Sequence, residues 1–199
     1  MRLSGTCGLL VAASLIAGGM AAAEQQPSAA QMMDDLMFGR GTVGGPFTLT
    51  DTSGKQRSDT EFRGKLMVVY FGYTFCPDVC PTDLMSISQA LDTLGPAANS
   101  IQPIFITIDP ERDSKRMAEY LAAFYPSFIG LTGSADEIRK VANSYKAAYS
   151  KVEDGKTGDY TIDHAGVIYL MGKGGEYLGF VPPQTGPDRL AEVLRKYLN

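Results

Sequence analysis

The chain has 199 residues, of which 44% are hydrophobic and 10% aromatic, enough apolar sequence for one domain with a real core. Its formal net charge is −4, which argues against nucleic acid as a partner and leaves no polybasic patch for an anionic membrane surface. With 3 cysteines and 1 histidine, residues fit for thiol or metal chemistry are few.

Residues 1–23 differ from the rest. Arg2 is the only charge before Glu24, and Gly8 to Ala23 is an uncharged run that ends Ala21-Ala22-Ala23. A basic start, a short apolar core and small residues before a polar junction describe a secretory signal. The run is short for a membrane span, which needs about 20 apolar residues, so a retained N-terminal anchor is the alternative. Cys7 precedes the apolar run, whereas a lipidated cysteine would follow it. Cleavage would leave Cys76 and Cys80 as the cysteines of an exported chain in an oxidising setting. The expected location is the periplasm or the outer face of the inner membrane. A purely structural disulfide is a poor reading, because closing so short a loop removes little chain entropy.

Residues 24–44, rich in Gln, Ala and Gly, read as a linker. A short amphipathic piece within it (Met33, Leu36, Met37) is expected to pack on the domain. The domain is expected over residues 45–199. Phe47 to Thr50 alternates as a strand does, Asp51 to Gly54 supplies a turn, and Lys55 to Ser58 returns as the second arm of an N-terminal hairpin. Thr60 to Arg63 reads as one helical turn stopped by Gly64.

The apolar run Leu66 to Phe71 predicts a buried parallel strand. Cys76-Pro77-Asp78-Val79-Cys80-Pro81 follows, and Leu84, Ile87, Leu91 and Leu94 then mark a helix with Pro81 at its first position. Gly95-Pro96 ends it, and Ile104 to Ile108 is a second buried strand, giving a βαβ unit with parallel strands. Asp109-Pro110-Glu111-Arg112-Asp113 reads as a turn and helix start. There Asp113 caps a helix carrying Met117, Tyr120, Leu121 and Phe124. Phe128 to Leu131 is a short strand. Ser134 and Glu137 form a capping box before Ile138, Val141, Ala142 and Tyr145. Lys151 to Asp159 is polar and reads as an exposed hairpin or loop. Asp163-His164 stands in a loop before the strand Val167 to Met171, which turns at Gly172 to Gly175 and pairs with Tyr177 to Val181. Pro187 starts a last helix with Leu190, Val193, Leu194 and Tyr197 on one face. This order predicts an α/β fold, a mixed central sheet flanked by helices.

The two thiols sit at a strand-to-helix turn, where the helix dipole favours the thiolate, both nucleophile and metal ligand. Two thiolates with the sole histidine, His164, suit copper: sulfur favours Cu(I), and imidazole is accepted by both oxidation states. Zinc would want a fourth ligand, which Asp78 or Asp163 offers. The site therefore reads as either a soft-metal centre or a redox dithiol.

Gly72-Tyr73-Thr74-Phe75-Cys76-Pro77-Asp78-Val79-Cys80-Pro81, followed by Asp109 to Asp113, Gly130-Leu131-Thr132-Gly133 and Tyr160-Thr161-Ile162-Asp163-His164, resembles the Sco/SenC family of copper-binding assembly factors for cytochrome c oxidase. The resemblance covers residues 45–199 and implies a thioredoxin-like fold. It implies that Cys76, Cys80 and His164 bind one copper ion per chain, with Asp163 as a supporting ligand or a support for the histidine. It implies an acceptor such as oxidase subunit II and its Cu-A centre, a copper donor, and a thiol reductant, since Cys76 and Cys80 also form a redox-active disulfide. In the family a Ser or Thr often follows the histidine; here Ala165 does, so a hydroxyl that could hold the ring is absent.

The rival reading is a thiol-disulfide oxidoreductase that reduces the cysteines of the oxidase copper site. Dedicated thioredoxin-like oxidoreductases use Cys-x-x-Cys and a cis-proline facing it. Here three residues separate the thiols, and no proline lies between Pro126 and Pro182.

Overall fold

The computed structural model describes residue 1 and residues 28–38, 41–153, 155 and 159–198. Beyond Met1, the leader expected over residues 1–23 lies outside the described residues.

The centre of the fold is β3 (Leu66–Gly72), in which every residue is buried. A strand covered on both faces has no polar side to present, and this one reads as an unbroken apolar run. It pairs in parallel with β4 (Ile101–Thr107) and antiparallel with β8 (Ile168–Met171). β4 starts at Ile101 rather than Ile104, running through Pro103 where β3 is paired but β5 (Ile129–Thr132) has not yet begun to pair. A proline is tolerated where a strand has a free side. With β1 (Thr48–Asp51), β2 (Gln56–Ser58) and β9 (Tyr177–Val181), the mixed sheet has 7 strands in the order β2-β1-β5-β4-β3-β8-β9 among the described residues. β1 and β2 form the expected N-terminal hairpin.

Helices cover both faces. On one side, α2 (Val79–Leu94) packs with α6 (Pro187–Arg195), and Tyr70 and Phe105 of the sheet stack at 6.3 Å beneath them. On the other side, Tyr145 at the end of α5 (Ala135–Ser144) meets Phe71 at 5.4 Å and Tyr169 at 5.5 Å. The predicted capping box is present, with Ser134 and Glu137 each serving the other's backbone.

Two expectations change: the buried face of the short amphipathic piece and the role of Asp113. The segment expected as a linker contains α1 (Ala29–Met37), capped by Ser28 and tied to the domain by Asp35–Lys146 at 3.7 Å. Its buried side chains are Met32 and Leu36, while Met37 is 63% exposed, so the amphipathic face is rotated from the one expected. Asp113 caps nothing: it ends the single turn α3 (Pro110–Asp113), and the next helix, α4 (Met117–Ala122), begins after Arg116. Its side chain turns inward and is fully buried. The stretch from Lys151, expected as an exposed hairpin or loop, takes the hairpin alternative. β6 (Tyr149–Glu153) and β7 (Tyr160–His164) pair antiparallel in a two-stranded sheet separate from the main one.

Candidate metal centre

The site lies beyond the carboxyl ends of β3 and β4, where parallel strands leave a crevice between the turns that follow them. Gly72 closes β3. A Cβ there would lie 2.9 Å from Tyr70, 3.0 Å from Cys80 Sγ and 3.1 Å from Phe105, so only glycine lets the cysteine turn descend onto the sheet. α2 begins at Val79, ahead of Pro81, and the proline falls in the first turn, where backbone N–H groups have no partner within the helix. Cys80 is therefore a helical residue and fully buried, while Cys76 precedes the helix and is half-buried. The Cys80 N–H donates to Cys76 Sγ at 3.4 Å, the helix-terminus contact that favours a thiolate.

His164 is the last residue of β7, in a strand and not in a loop. Its Nε2 lies 3.3 Å from Cys80 Sγ, and its Nδ1 accepts from the Gly166 N–H at 3.2 Å. Ala165 offers no hydroxyl, and this backbone donor serves the second ring nitrogen instead. Gly166 has φ 62°, and a Cβ would meet Pro183 and Val79 at 3.3 Å each. A substitution there is strained as well as crowded. Tyr70 and Tyr73 flank the imidazole edge-on, at 6.2 and 6.0 Å between ring centres.

Cys76, Cys80 and His164 offer ligand atoms that all lie within 4.8 Å of one another. Residues separated by 84 positions in the chain are thus brought to one point. Asp163 is outside this group, exposed on the opposite face of β7, because neighbouring side chains alternate along a strand. Asp78 is exposed at the N-cap of α2 and makes no side-chain cap bond. A cleft of about 820 Å³ runs beside the histidine, and Met32, Met33, Asp163 and His164 are among its lining residues.

The two thiols are shifted in opposite directions. The neighbouring Cys80 side chain, with help from His164 and the Asp78 and Cys80 amides, holds the Cys76 thiol down at about 3. The Cys80 thiol is pushed up by the neighbouring Cys76 side chain and by burial. The arrangement is one half-buried thiol of low pKa backed by one fully buried thiol, beside an imidazole.

Four further residues have clear structural roles. Asp83 is fully buried and accepts from Tyr70 Oη at 3.0 Å and from the Gln184 N–H at 2.6 Å, and burial raises its pKa. Its spacing from Cys80 and Ile87 on α2 was a readable sign that it shares their buried face. Asp109 accepts from Tyr160 Oη at 2.8 Å. Arg112 forms an ion pair with Asp109 and stacks over Tyr160 at 3.6 Å. Asp113 accepts from the Thr74 N–H and from the Thr74 and Thr107 hydroxyls. Tyr73 is buried, whereas Phe75 is 45% exposed beneath Arg112 and Arg116.

A thioredoxin-like domain that presents two thiols and an imidazole at the mouth of its central strands belongs to the class of metal-binding thiol proteins. The SCO1/SenC family model matches residues 37–199, and the chain belongs to that family. It is 35% identical over 164 residues to the human mitochondrial protein SCO1 homolog, covering 81% of this chain and 54% of the human one. The chain spans about half the length of the human, Arabidopsis thaliana and Danio rerio SCO homologs that it matches. Among solved structures, Bradyrhizobium japonicum ScoI with copper bound is 44% identical, with a TM-score of 0.69 over 78% of this chain and 99% of that one. Arabidopsis thaliana ScoI with copper bound is 37% identical, with a TM-score of 0.74 over 79% of this chain and 98% of that one.

Proposed function

We propose that the protein is a copper metallochaperone for assembly of the Cu-A centre of cytochrome c oxidase. The observation that carries the reading is the convergence of Cys76, Cys80 and His164 within 4.8 Å. Two soft sulfurs and one imidazole make a three-coordinate set suited to Cu(I), and Cu(II) would take a further ligand. Asp163 is the carboxylate next to the histidine, but its exposed place on the far face of β7 favours water in that role. Relatives solved with copper bound support the choice of metal. One ion per chain would be received from a copper donor and passed to oxidase subunit II, or another acceptor, by exchange of thiolate ligands. The pair must be reduced to bind copper, so the disulfide form is inactive and calls for a thiol reductant. We place the protein in the periplasm or on the outer face of the inner membrane, carried there by residues 1–23 as signal or anchor. No described helix is long and apolar enough to cross a membrane.

The test is copper titration of the reduced full chain beside Cys76→Ser, Cys80→Ser and His164→Ala. Stoichiometric tight copper retained by all three variants would refute the site.

A second reading rests on the asymmetry of the thiols. The Cys76 thiolate can attack a disulfide of the partner, releasing one thiolate and forming a mixed disulfide. Cys80 then gives up its proton and attacks Cys76 Sγ, releasing the second partner thiol and leaving Cys76–Cys80 oxidised. Efficient turnover of an oxidised dithiol peptide without copper, persisting in His164→Ala, would favour this reading.

A further inference from the structure

The histidine is carried by a hairpin that belongs to no larger sheet. Two strands alone are marginal in water, so what holds β6 and β7 in place also decides where the imidazole sits. Tyr160, Ile162 and His164 share one face of β7, at the two-residue period of a strand. Each meets the body of the domain at a separate point. Tyr160 Oη donates to Asp109 Oδ1 at 2.8 Å, the Ile162 N–H donates to Tyr73 Oη at 3.1 Å, and His164 Nε2 lies 3.3 Å from Cys80 Sγ.

Arg112 joins these points to the cysteine turn. Its Nε donates to Asp109, and its Nη1 donates to the Tyr160 carbonyl at 3.0 Å and to Asp159 Oδ1 at 3.1 Å. Its guanidinium lies 3.6 Å from the centre of the Tyr160 ring and 4.9 Å from that of Phe75, the residue before Cys76. One planar cation therefore touches both halves of the site. A guanidinium can fork and stack at once, which a lysine ammonium cannot.

We propose that Arg112, working with Asp109 and Tyr160, is a positioning residue that fixes the reach between His164 and the two thiols. The proposal rests on the copper reading above. Without Arg112 the hairpin loses its hold at Tyr160, and the imidazole spends less time at the sulfurs. Cys76 and Cys80 still offer Cu(I) two thiolates. The cost should resemble that of removing an outer support of a metal ligand, about 10-fold in affinity.

The experiment is a double-mutant cycle on the reduced full chain, with Cu(I) affinity read by competition with a chromophoric chelator. Arg112→Ala should weaken Cu(I) by about 10-fold, and Arg112→Lys should not restore it. Arg112→Ala in the His164→Ala background should cost nothing further, because a residue that acts through the histidine has no effect once the histidine is gone. On Cu(II), nitrogen coupling from imidazole in pulsed electron paramagnetic resonance should diminish in Arg112→Ala. Tyr160→Phe, which removes only the phenol O–H, supplies a second cycle should Arg112→Ala fail to fold. Wild-type affinity in either single variant, or an equal penalty with and without His164, overturns the proposal. Loss of no affinity in His164→Ala itself would instead sink the copper site on which the proposal rests.

Discussion

Removing the Asp113 side chain should cost stability out of proportion to its size. Asp113 is fully buried and takes hydrogen bonds from the Thr74 N–H, at 3.1 Å to each oxygen, and from the Thr74 and Thr107 hydroxyls, each at 2.6 Å. In Asp113→Ala the hydroxyls can turn elsewhere, each losing about 0.5–1.5 kcal/mol, but the Thr74 amide cannot, and a stranded buried donor costs about 1–3 kcal/mol. Against this, the mutant no longer buries a carboxyl group. The net loss should be about 3 kcal/mol. For a domain of this size that is a fall in Tm of about 6–12 °C. Asp113→Asn should cost only about 1 kcal/mol, since its carbonyl keeps the Thr74 amide and the Thr107 hydroxyl can rotate to accept from the new NH₂.

The assay is urea unfolding of the reduced, metal-free protein, with slopes compared to confirm that only the midpoint moves. A loss under about 0.5 kcal/mol for the alanine variant, typical of an unremarkable surface change, would refute the accounting. So would an asparagine variant less stable than the alanine one. The pH dependence gives a separate check. Burial raises the folded pKa of Asp113 above its ordinary 3.8. Between those values the folded state holds a proton that the unfolded chain has released, so this group's contribution to stability grows as pH falls through the window. Wild type should therefore gain on Asp113→Asn as the pH is lowered toward 4. A gap that stays constant would contradict the sign.

Cys76 should alkylate before Cys80 in the reduced protein, being half-buried where Cys80 is fully buried. Its thiol is held near 3, so the thiolate persists as pH falls, and mass-spectrometric alkylation rates should stay high from pH 9 down to pH 5. A single rise centred on the ordinary thiol value of 9.0 would refute the lowered Cys76 thiol. Gly72→Ala should destabilise by about 1–3 kcal/mol in thermal melts, because overpacking forces neighbours aside. An unchanged Tm would mean that Tyr70 and Cys80 yield freely. Asp163→Ala should leave copper affinity as in the wild type, since the carboxylate lies outside the cluster of ligand atoms. Loss of tight copper in that variant would restore it as a ligand.

The sequence revealed elements whose signal is carried within a single segment. The apolar run of β3, the stripe of α2 and the Ser134–Glu137 box each encode their own local structure, and each was readable. The β6–β7 hairpin was legible only as one of two alternatives, hairpin or loop, and His164 was expected in a loop, because Lys151, Val152 and Glu153 are all exposed and show no alternation of apolar and polar residues. Its pairing and its contacts with Tyr73, Asp109 and Arg112 define it, and those partners lie far away in the chain. Asp113 misled for a related reason. An Asp shortly before an apolar stripe is a sound local signal for a cap. Thr74, 39 positions away, provides a stronger use for the same carboxylate.

The placement of Asp109 to Asp113 follows from the parallel pairing of β3 and β4. Gly72 pairs with Thr107, so the turn that carries the cysteines and the turn that carries this motif leave the sheet side by side. A one-turn helix there points alternate side chains in different directions. Asp113 faces inward and grips Thr74, two residues before Cys76, while Asp109 grips Tyr160 on the histidine strand. Arg112 spans the gap between Phe75 and Tyr160. From the far side, Asp83 holds Tyr70 and the Gln184 backbone against the buried end of the cysteine helix. A soft-metal site whose ligands come from two separate pieces of structure needs those pieces kept in register without adding harder oxygen ligands to the cluster. Burying the carboxylates behind the cysteines and the histidine, each already occupied by hydrogen-bond donors, achieves both.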